Sequence, residues 1–213
     1  VAGAAIATIM SQLISAILTV IALMRTTDSY RLVVSRIRFH KHLLFSIVKI
    51  GLPAGLQSAM YSISNLLIQS SINSFGTDTI AAWTAYAKVD SIFWMIMSAY
   101  GVSATTFAGQ NFGAGKYDRI KKSVRICLGL AAATSIALSF IVLQFGGTIL
   151  LLFTHDQNVI SICEGMIRVV SPFYITYICI EILSGTCRGC GDSFIPMLLT
   201  CFGVCILRIA WIF

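Results

Sequence analysis

Apolar residues fill this chain in long blocks, and polar positions mark where each block stops. A helix rises 1.5 Å per residue, so a hydrocarbon core of about 30 Å takes about 20 helical residues. Six blocks meet that length, at 2–24, 48–73, 80–107, 124–153, 160–187 and 194–213. The pattern predicts an all-α, polytopic membrane helix bundle with six transmembrane helices. The segments between them alternate in charge. Residues 25–49 carry Arg25, Arg31, Arg36, Arg38, Lys41 and Lys49, and residues 108–125 carry Lys116, Arg119, Lys121, Lys122 and Arg125. Residues 73–79 and 154–159 carry no Lys or Arg. Basic loops stay in the cytoplasm, so the first block ends inside, the second and third join outside, and the third and fourth join inside. The long segment 25–47 mixes arginine with Ile, Phe and Leu. It reads as a linker between two bundles, part of it an amphipathic helix on the inner surface. That divides the chain into 1–24, the linker 25–47, and a second bundle 48–213.

Polar residues inside the blocks are the next signal, because positions three, four or seven apart share a helix face. In the second block, which opens on Gly51-Leu52-Pro53 with proline suited to a first turn, Gln57, Tyr61, Asn65 and Gln69 recur every four residues. This stripe either lines a wet cavity or hydrogen-bonds to other helices. In the third block Asp90 shares a face with Tyr86, Trp94, Met97 and Gly101, while Lys88 lies about 200° away around the helix. An acid this deep in a membrane either pairs permanently with a basic neighbour or binds and releases a cation or proton. In the fifth block Ser171, Tyr174, Tyr177, Glu181, Ser184 and Arg188 share a face, and Pro172 predicts a kink. Glu181 stands seven residues, about 10 Å, from Arg188, which reads as an interfacial residue. Glu181 and Asp90 are the candidate carriers of a coupling cation or proton. Lys88, Gln57, Tyr61, Asn65, Trp94, Tyr174 and Tyr177 are the candidate lining.

Composition excludes a soluble domain. Of the 213 residues 57% are hydrophobic and 11% charged, against about 25% charged in soluble domains, and the mean hydropathy is +0.88. The net charge of +7 sits mainly in the two basic segments and carries no reader motif, so nucleic acid is not a partner. The chain starts at Val1 and stops at Phe213 within apolar runs, and is expected to be a piece of a longer protein. Of seven cysteines, Cys187 and Cys190 have the spacing of a redox or zinc pair, yet no second pair or histidine cluster accompanies them. They read as small packing residues. Gly109-Gln-Asn-Phe-Gly-Ala-Gly115-Lys116 invites a phosphate-loop reading but fails it. Five residues separate the outer glycines where four are needed, and Tyr117 follows the lysine. The glycines fit a tight turn instead.

These motifs carry a resemblance. Gly109-Gln-Asn-Phe-Gly-Ala-Gly-Lys-Tyr-Asp-Arg119 resembles the loop after the eighth helix of multidrug and toxic compound extrusion (MATE) transporters. Gly185-Thr-Cys-Arg-Gly-Cys-Gly-Asp-Ser-Phe-Ile-Pro196-Met is similar to their segment between helices ten and eleven. The Gly51-Leu-Pro53 opening and Ala5-Ile-Ala-Thr-Ile-Met-Ser-Gln12 fit as well, so the likeness covers the chain in order. It implies helix six, the inter-lobe linker and helices seven to eleven of a twelve-helix, two-lobe transporter. It further implies no cofactor, sodium or protons as coupling ion, organic and often cationic substrates, and partnership with the first-lobe helices in a multi-pass plasma-membrane protein. The helix-seven equivalent has no acid between Lys49 and Asp78, and Glu181 stands about one turn from the family's acidic position on helix ten. The K-x-D-x-I-F-W stretch implies a second-lobe polar cluster of Lys88, Asp90 and Glu181.

Two other functions compete with export. A flippase for lipid-linked oligosaccharides shares the broad fold, but its cavities want more arginine than these spans offer. A membrane-embedded enzyme is disfavoured, because no His/Asp/Glu metal constellation is present.

Overall fold

The computed structural model describes residues 2–28 and 30–212. The side chains of Ala2, Arg36, Cys205, Ile209, Trp211 and Ile212 lie outside that description, among them Arg36 of the basic linker and the cysteine at 205. The helices are α1 (Ala2–Arg25), α2 (Lys41–Asn73), α3 (Thr77–Gly113), α4 (Tyr117–Leu150), α5 (Gln157–Val170), α6 (Tyr174–Gly189), α7 (Phe194–Thr200) and α8 (Leu207–Ile212). The chain divides into two compact units, Val1–Phe45 and Ser46–Phe213.

In the first unit α1 is apolar along its length and bonds its hydroxyls to its own backbone, Thr8 to the Ala4 carbonyl at 2.9 Å and Thr19 to that of Ser15 at 2.8 Å. The linker holds one 3-10 turn, Val34–Arg36, in place of the amphipathic helix expected there. Its C-terminal part, from Lys41, is already the start of α2.

Among the described residues five stretches have the length and composition to cross a membrane: Gly3–Arg25, Lys41–Asn73, Thr77–Gly113, Tyr117–Leu150 and Gln157–Gly189. The sixth predicted block is the run α7, a π-helical segment at Cys201–Ile206, and α8. The all-α membrane bundle therefore stands, with different helix ends. α2 begins seven residues before the predicted start, which makes Pro53 an interior residue of α2 and not part of a first turn. Membrane helices tolerate such a proline because neighbours resatisfy the freed backbone. The predicted basic loop at 108–125 shrinks to Ala114–Lys116, and most of its charges ride on the first turns of α4. Gly115 turns that corner at φ +69°, a left-handed backbone that glycine adopts freely.

Local chemistry explains the other ends. The Asp156 carboxylate accepts the Asn158 N–H at 2.9 Å and caps α5. Pro172 closes α5 in a 3-10 turn, Ser171–Phe173, and Ser139 of α4 donates its hydroxyl to the Ser171 carbonyl at 3.0 Å. In the Cys190-Gly-Asp-Ser turn, Gly191 takes φ +89° and the Asp192 carboxylate accepts the N–H groups of Phe194 (3.0 Å) and Ile195 (3.3 Å), starting α7.

α3 is the central helix of the second unit. Its stripe Ala82, Ala85, Tyr86, Val89, Phe93, Met97, Ala104 and Ala108 is buried at helical spacing. The outer half of the stripe packs on Leu150, Val159, Ile160, Cys163 and Ile167, and the inner half on Ala131, Tyr174, Ile178 and Ile182. Lipid is as apolar as leucine, so close packing and not water exclusion holds such helices together. The α3/α6 seam is accordingly glycine-rich. A Cβ on Gly185 would stand 2.8 Å from the Gly101 carbonyl oxygen, and one on Gly109 3.2 Å from that of Gly189. Gly185 and Gly189 form a G-x-x-x-G pair against the Gly101, Thr105, Gly109 ladder of α3.

Candidate functional site

Beside its buried stripe, α3 turns a second face at four-residue intervals, Asp90, Trp94 and Ser98, toward two adjoining hollows. The larger, about 550 Å³, is lined by Tyr61, Asn65 and Gln69 of α2, Tyr86, Asp90 and Trp94 of α3, Tyr177 of α6 and Arg208 of α8, among others. The smaller, about 320 Å³, is lined by Gln57, Ser58 and Tyr61 of α2, Trp94 and Ser98 of α3, and Tyr177, Glu181, Ser184 and Arg188 of α6. Tyr61, Trp94 and Tyr177 belong to both, so the two hollows meet at an aromatic waist.

Each acid is held by an aromatic four residues away on its own helix, one turn apart and on the same face. The Trp94 indole N–H donates to Asp90 Oδ2 at 2.5 Å, and the Tyr177 hydroxyl donates to Glu181 Oε2 at 2.9 Å. The two rings meet edge to face, with centroids 4.4 Å apart and planes at 66°. A continuous line of contacts therefore runs from Asp90 through Trp94 and Tyr177 to Glu181. Asp90 Oδ1 takes a further hydrogen bond from the Tyr174 hydroxyl at 2.6 Å, and Phe93 fixes that ring by stacking on it at 3.9 Å and 11°.

The two carboxylates differ in electrostatic surroundings. Asp90 accepts hydrogen bonds from the neutral donors of Trp94 and Tyr174, and it shares its hollow with the Arg208 guanidinium. Glu181 faces the Arg188 guanidinium, Nη2 to Oε1 at 3.5 Å, and its side chain lies directly over Gly101, where no Cβ stands in the way. Arg188, read from the sequence as an interfacial residue, is thus also the ion-pair partner of Glu181. The Cα–Cβ bonds of a helix tilt toward its N-terminus, so a long arginine side chain leans back two turns to the acid. The pair is not sealed in, since both side chains keep about a quarter to a fifth of their surface exposed.

The α2 stripe serves both uses that the sequence left open. Its members line the hollows, and they also bond between helices. Gln57 donates to Thr200 Oγ1 at 3.0 Å, and Arg208 donates to Asn65 Oδ1 at 3.2 Å. Tyr174 stands behind Asp90 as a buried partner and is absent from the lining of either hollow. Lys88 does not join the cluster. It is exposed and lines neither hollow, because two residues place it across α3 from Asp90. The lining serines Ser58, Ser98 and Ser184, and Arg208, were not singled out as site residues from the sequence. The signal available for them was spacing, since Ser98 continues the ladder of Asp90 and Trp94.

A polytopic, all-α membrane bundle with a charged hollow between its helices is the class that fold and site define. A family model described as MatE matches residues 53–213. The multidrug resistance protein YoeA of Bacillus subtilis, a probable assignment in its own name, is 26% identical over 79% of this chain and 36% of its own length. NorM of Thermotoga maritima, likewise named a probable multidrug resistance protein, is 24% identical over 98% of this chain and 45% of its own length. Among solved structures, a MOP superfamily transporter from Pyrococcus furiosus, titled for the reverse polarity of its binding pocket, superposes with a TM-score of 0.89 at 18% identity, covering 99% of this chain and 48% of that one. A MATE in complex with MaL6 superposes with a TM-score of 0.87 at 18% identity, covering 96% of this chain and 46% of that one. The chain belongs to the MatE family and is a multi-pass plasma-membrane protein. It spans less than half the length of these relatives.

Proposed function

We propose that this chain forms part of a secondary active transporter that exports organic, often cationic drugs or metabolites in antiport with sodium or protons. The observation that carries the reading is the convergence of Asp90 and Glu181, from α3 and α6, on hollows joined at Tyr61, Trp94 and Tyr177. Asp90 is the coupling site, because its charge has neutral partners and can be neutralised by the ion. Glu181, balanced by Arg188, exchanges that partner for a cationic substrate. The aromatic waist offers ring faces to a flat cation, an attraction of about 0.5–2 kcal/mol per ring. The rest of the cavity comes from the first-lobe helices of the full-length protein, the partner this chain needs. Neither a cofactor nor catalysis enters the cycle. The relatives named for multidrug resistance support this reading.

The test is ethidium efflux driven by an imposed proton or sodium gradient in vesicles holding the full-length protein. Asp90→Asn and Glu181→Gln abolish gradient-driven efflux while membrane expression stays at the wild-type level. Full efflux in both variants would remove the two acids from the mechanism.

One observation favours a second reading. Arg188 and Arg208 both line the hollows, and guanidinium groups suit the pyrophosphate of a lipid-linked oligosaccharide. Reconstituted flipping of an undecaprenyl-linked substrate, lost in Arg188→Gln with Arg208→Gln and indifferent to an ion gradient, would favour flippase activity over export.

A further inference from the structure

At the other end of α3, away from the acids, a separate cavity of about 280 Å³ opens between the α3 and α4 helices. It is lined by Phe107, Arg119, Lys122, Ser123 and Ile126. Residues 119, 122, 123 and 126 share one face of α4, and Phe107 comes across from α3. Five cations crowd this corner, from Lys116 to Arg125, so the positive-inside rule puts it at the inner leaflet.

Topology alone asks only for positive charge here, not for a shaped site. Two features go further. Asp118 pairs with Lys121 at 4.0 Å, and among the described residues no carboxylate is ion-paired with Arg119 or Lys122. Cations at a helix N-terminus also oppose the helix dipole, so this pair gains nothing from the protein at that end. The polarity is graded as well. Arg119 and Lys122 sit in the first two turns of α4, while Ile126 is seven residues, about 10 Å, deeper, and Phe107 is six residues, about 9 Å, in from the end of α3. Ile126 and Phe107 are apolar groups about half exposed.

We infer that this cavity binds one anionic phospholipid of the inner leaflet, its phosphate on Arg119, Lys122 and the Ser123 hydroxyl and its acyl chain along Ile126 and Phe107. Basic pockets between transmembrane helices on the cytoplasmic side are suited to such headgroups. The apolar wall selects a lipid over free phosphate, which has nothing to place there. The inference is independent of what the protein transports.

The test is native mass spectrometry of the full-length protein, released from detergent after equilibration with equal phosphatidylglycerol and phosphatidylcholine. Each cation near an anionic headgroup contributes about fivefold in preference, so Arg119→Gln with Lys122→Gln lowers the phosphatidylglycerol preference roughly 25-fold. The charge-matched control, Lys116→Gln with Arg125→Gln, keeps most of it. Equal losses in the two double variants mean diffuse charge attraction and overturn the site. Two outcomes on the wild type alone also overturn it and need no variant to fold. These are equal retention of the two lipids, and displacement of phosphatidylglycerol by millimolar inorganic phosphate or by an acidic peptide.

Discussion

Gly185→Val tests the seam on which the site is mounted. Even a single Cβ at this position would lie 2.8 Å from the Gly101 carbonyl oxygen and 3.0 Å from Thr105 Oγ1, where ordinary contact begins at 3.4 Å. The first obstacle is backbone. The second is a hydroxyl pinned by its own hydrogen bond to the same carbonyl at 2.8 Å, so neither can turn aside. α3 and α6 must therefore part by about 0.6 Å for alanine and by more for valine, whose branched side chain has one preferred rotamer in a helix. Overpacking costs about 1–3 kcal/mol, and a backbone obstacle puts valine near the top of that range. The shift per kcal/mol falls with chain length, to about 1–2 °C for a full-length protein twice this size, so Gly185→Val lowers the unfolding midpoint by about 3–6 °C. The assay is thermal unfolding of the purified full-length protein in detergent, with Gly129→Val as control. Nothing lies within 4 Å of a Cβ at Gly129, so that variant shifts the midpoint by no more than about 2 °C. Equal midpoints for the two variants would refute the close α3/α6 approach.

Two further outcomes separate stability from function. Gly101→Ala meets the flexible Glu181 side chain, which can swing aside, so stability falls by less than about 1 kcal/mol while efflux drops at least tenfold as Glu181 leaves Tyr177 and Arg188. A thermal midpoint and an efflux rate that fall together would contradict this separation. Gln57→Leu leaves the buried Thr200 hydroxyl without its partner from α2, at a cost of about 1–3 kcal/mol. It speeds amide hydrogen exchange in the adjoining π-helical segment Cys201–Ile206, and unchanged exchange there would show that the α2–α7 bond holds nothing in place.

Much of this architecture was legible in the sequence because a membrane restricts the choices. Blocks long enough to span must be helical, and a polar residue inside one is conspicuous, which is how Asp90, Glu181 and the Gln57 stripe stood out. Helix ends were not legible in the same way. Hydropathy reports where lipid begins, whereas α2 and α4 continue as helix into their charged flanks, so Lys41 and Tyr117 start helices that the apolar pattern starts seven residues later. Pair geometry was hidden for a related reason. Seven residues of spacing do not by themselves show that Arg188 reaches Glu181; side-chain length and tilt decide it. Lys88, near Asp90 in sequence, points away because helical periodicity outweighs proximity. The G-x-x-x-G spacing of Gly185 and Gly189 was present all along, within a stretch whose glycines and cysteines drew attention as a motif instead of as a packing surface.

The central claim is that the face of α3 carrying Asp90 and Trp94 looks into water and not into lipid. Cysteine accessibility on a cysteine-free full-length background measures this directly, with a charged thiosulfonate reagent applied in intact membranes. Ser98 lines the hollow beside Glu181, whereas Val102, one turn further along α3, is an exposed apolar residue in the lining of neither of the two hollows. A wet hollow predicts that Ser98→Cys is modified at least tenfold faster than Val102→Cys, and that an excess of a cationic substrate slows it. Equal inertness of the two cysteines would show that Asp90 and Glu181 do not share an aqueous cavity.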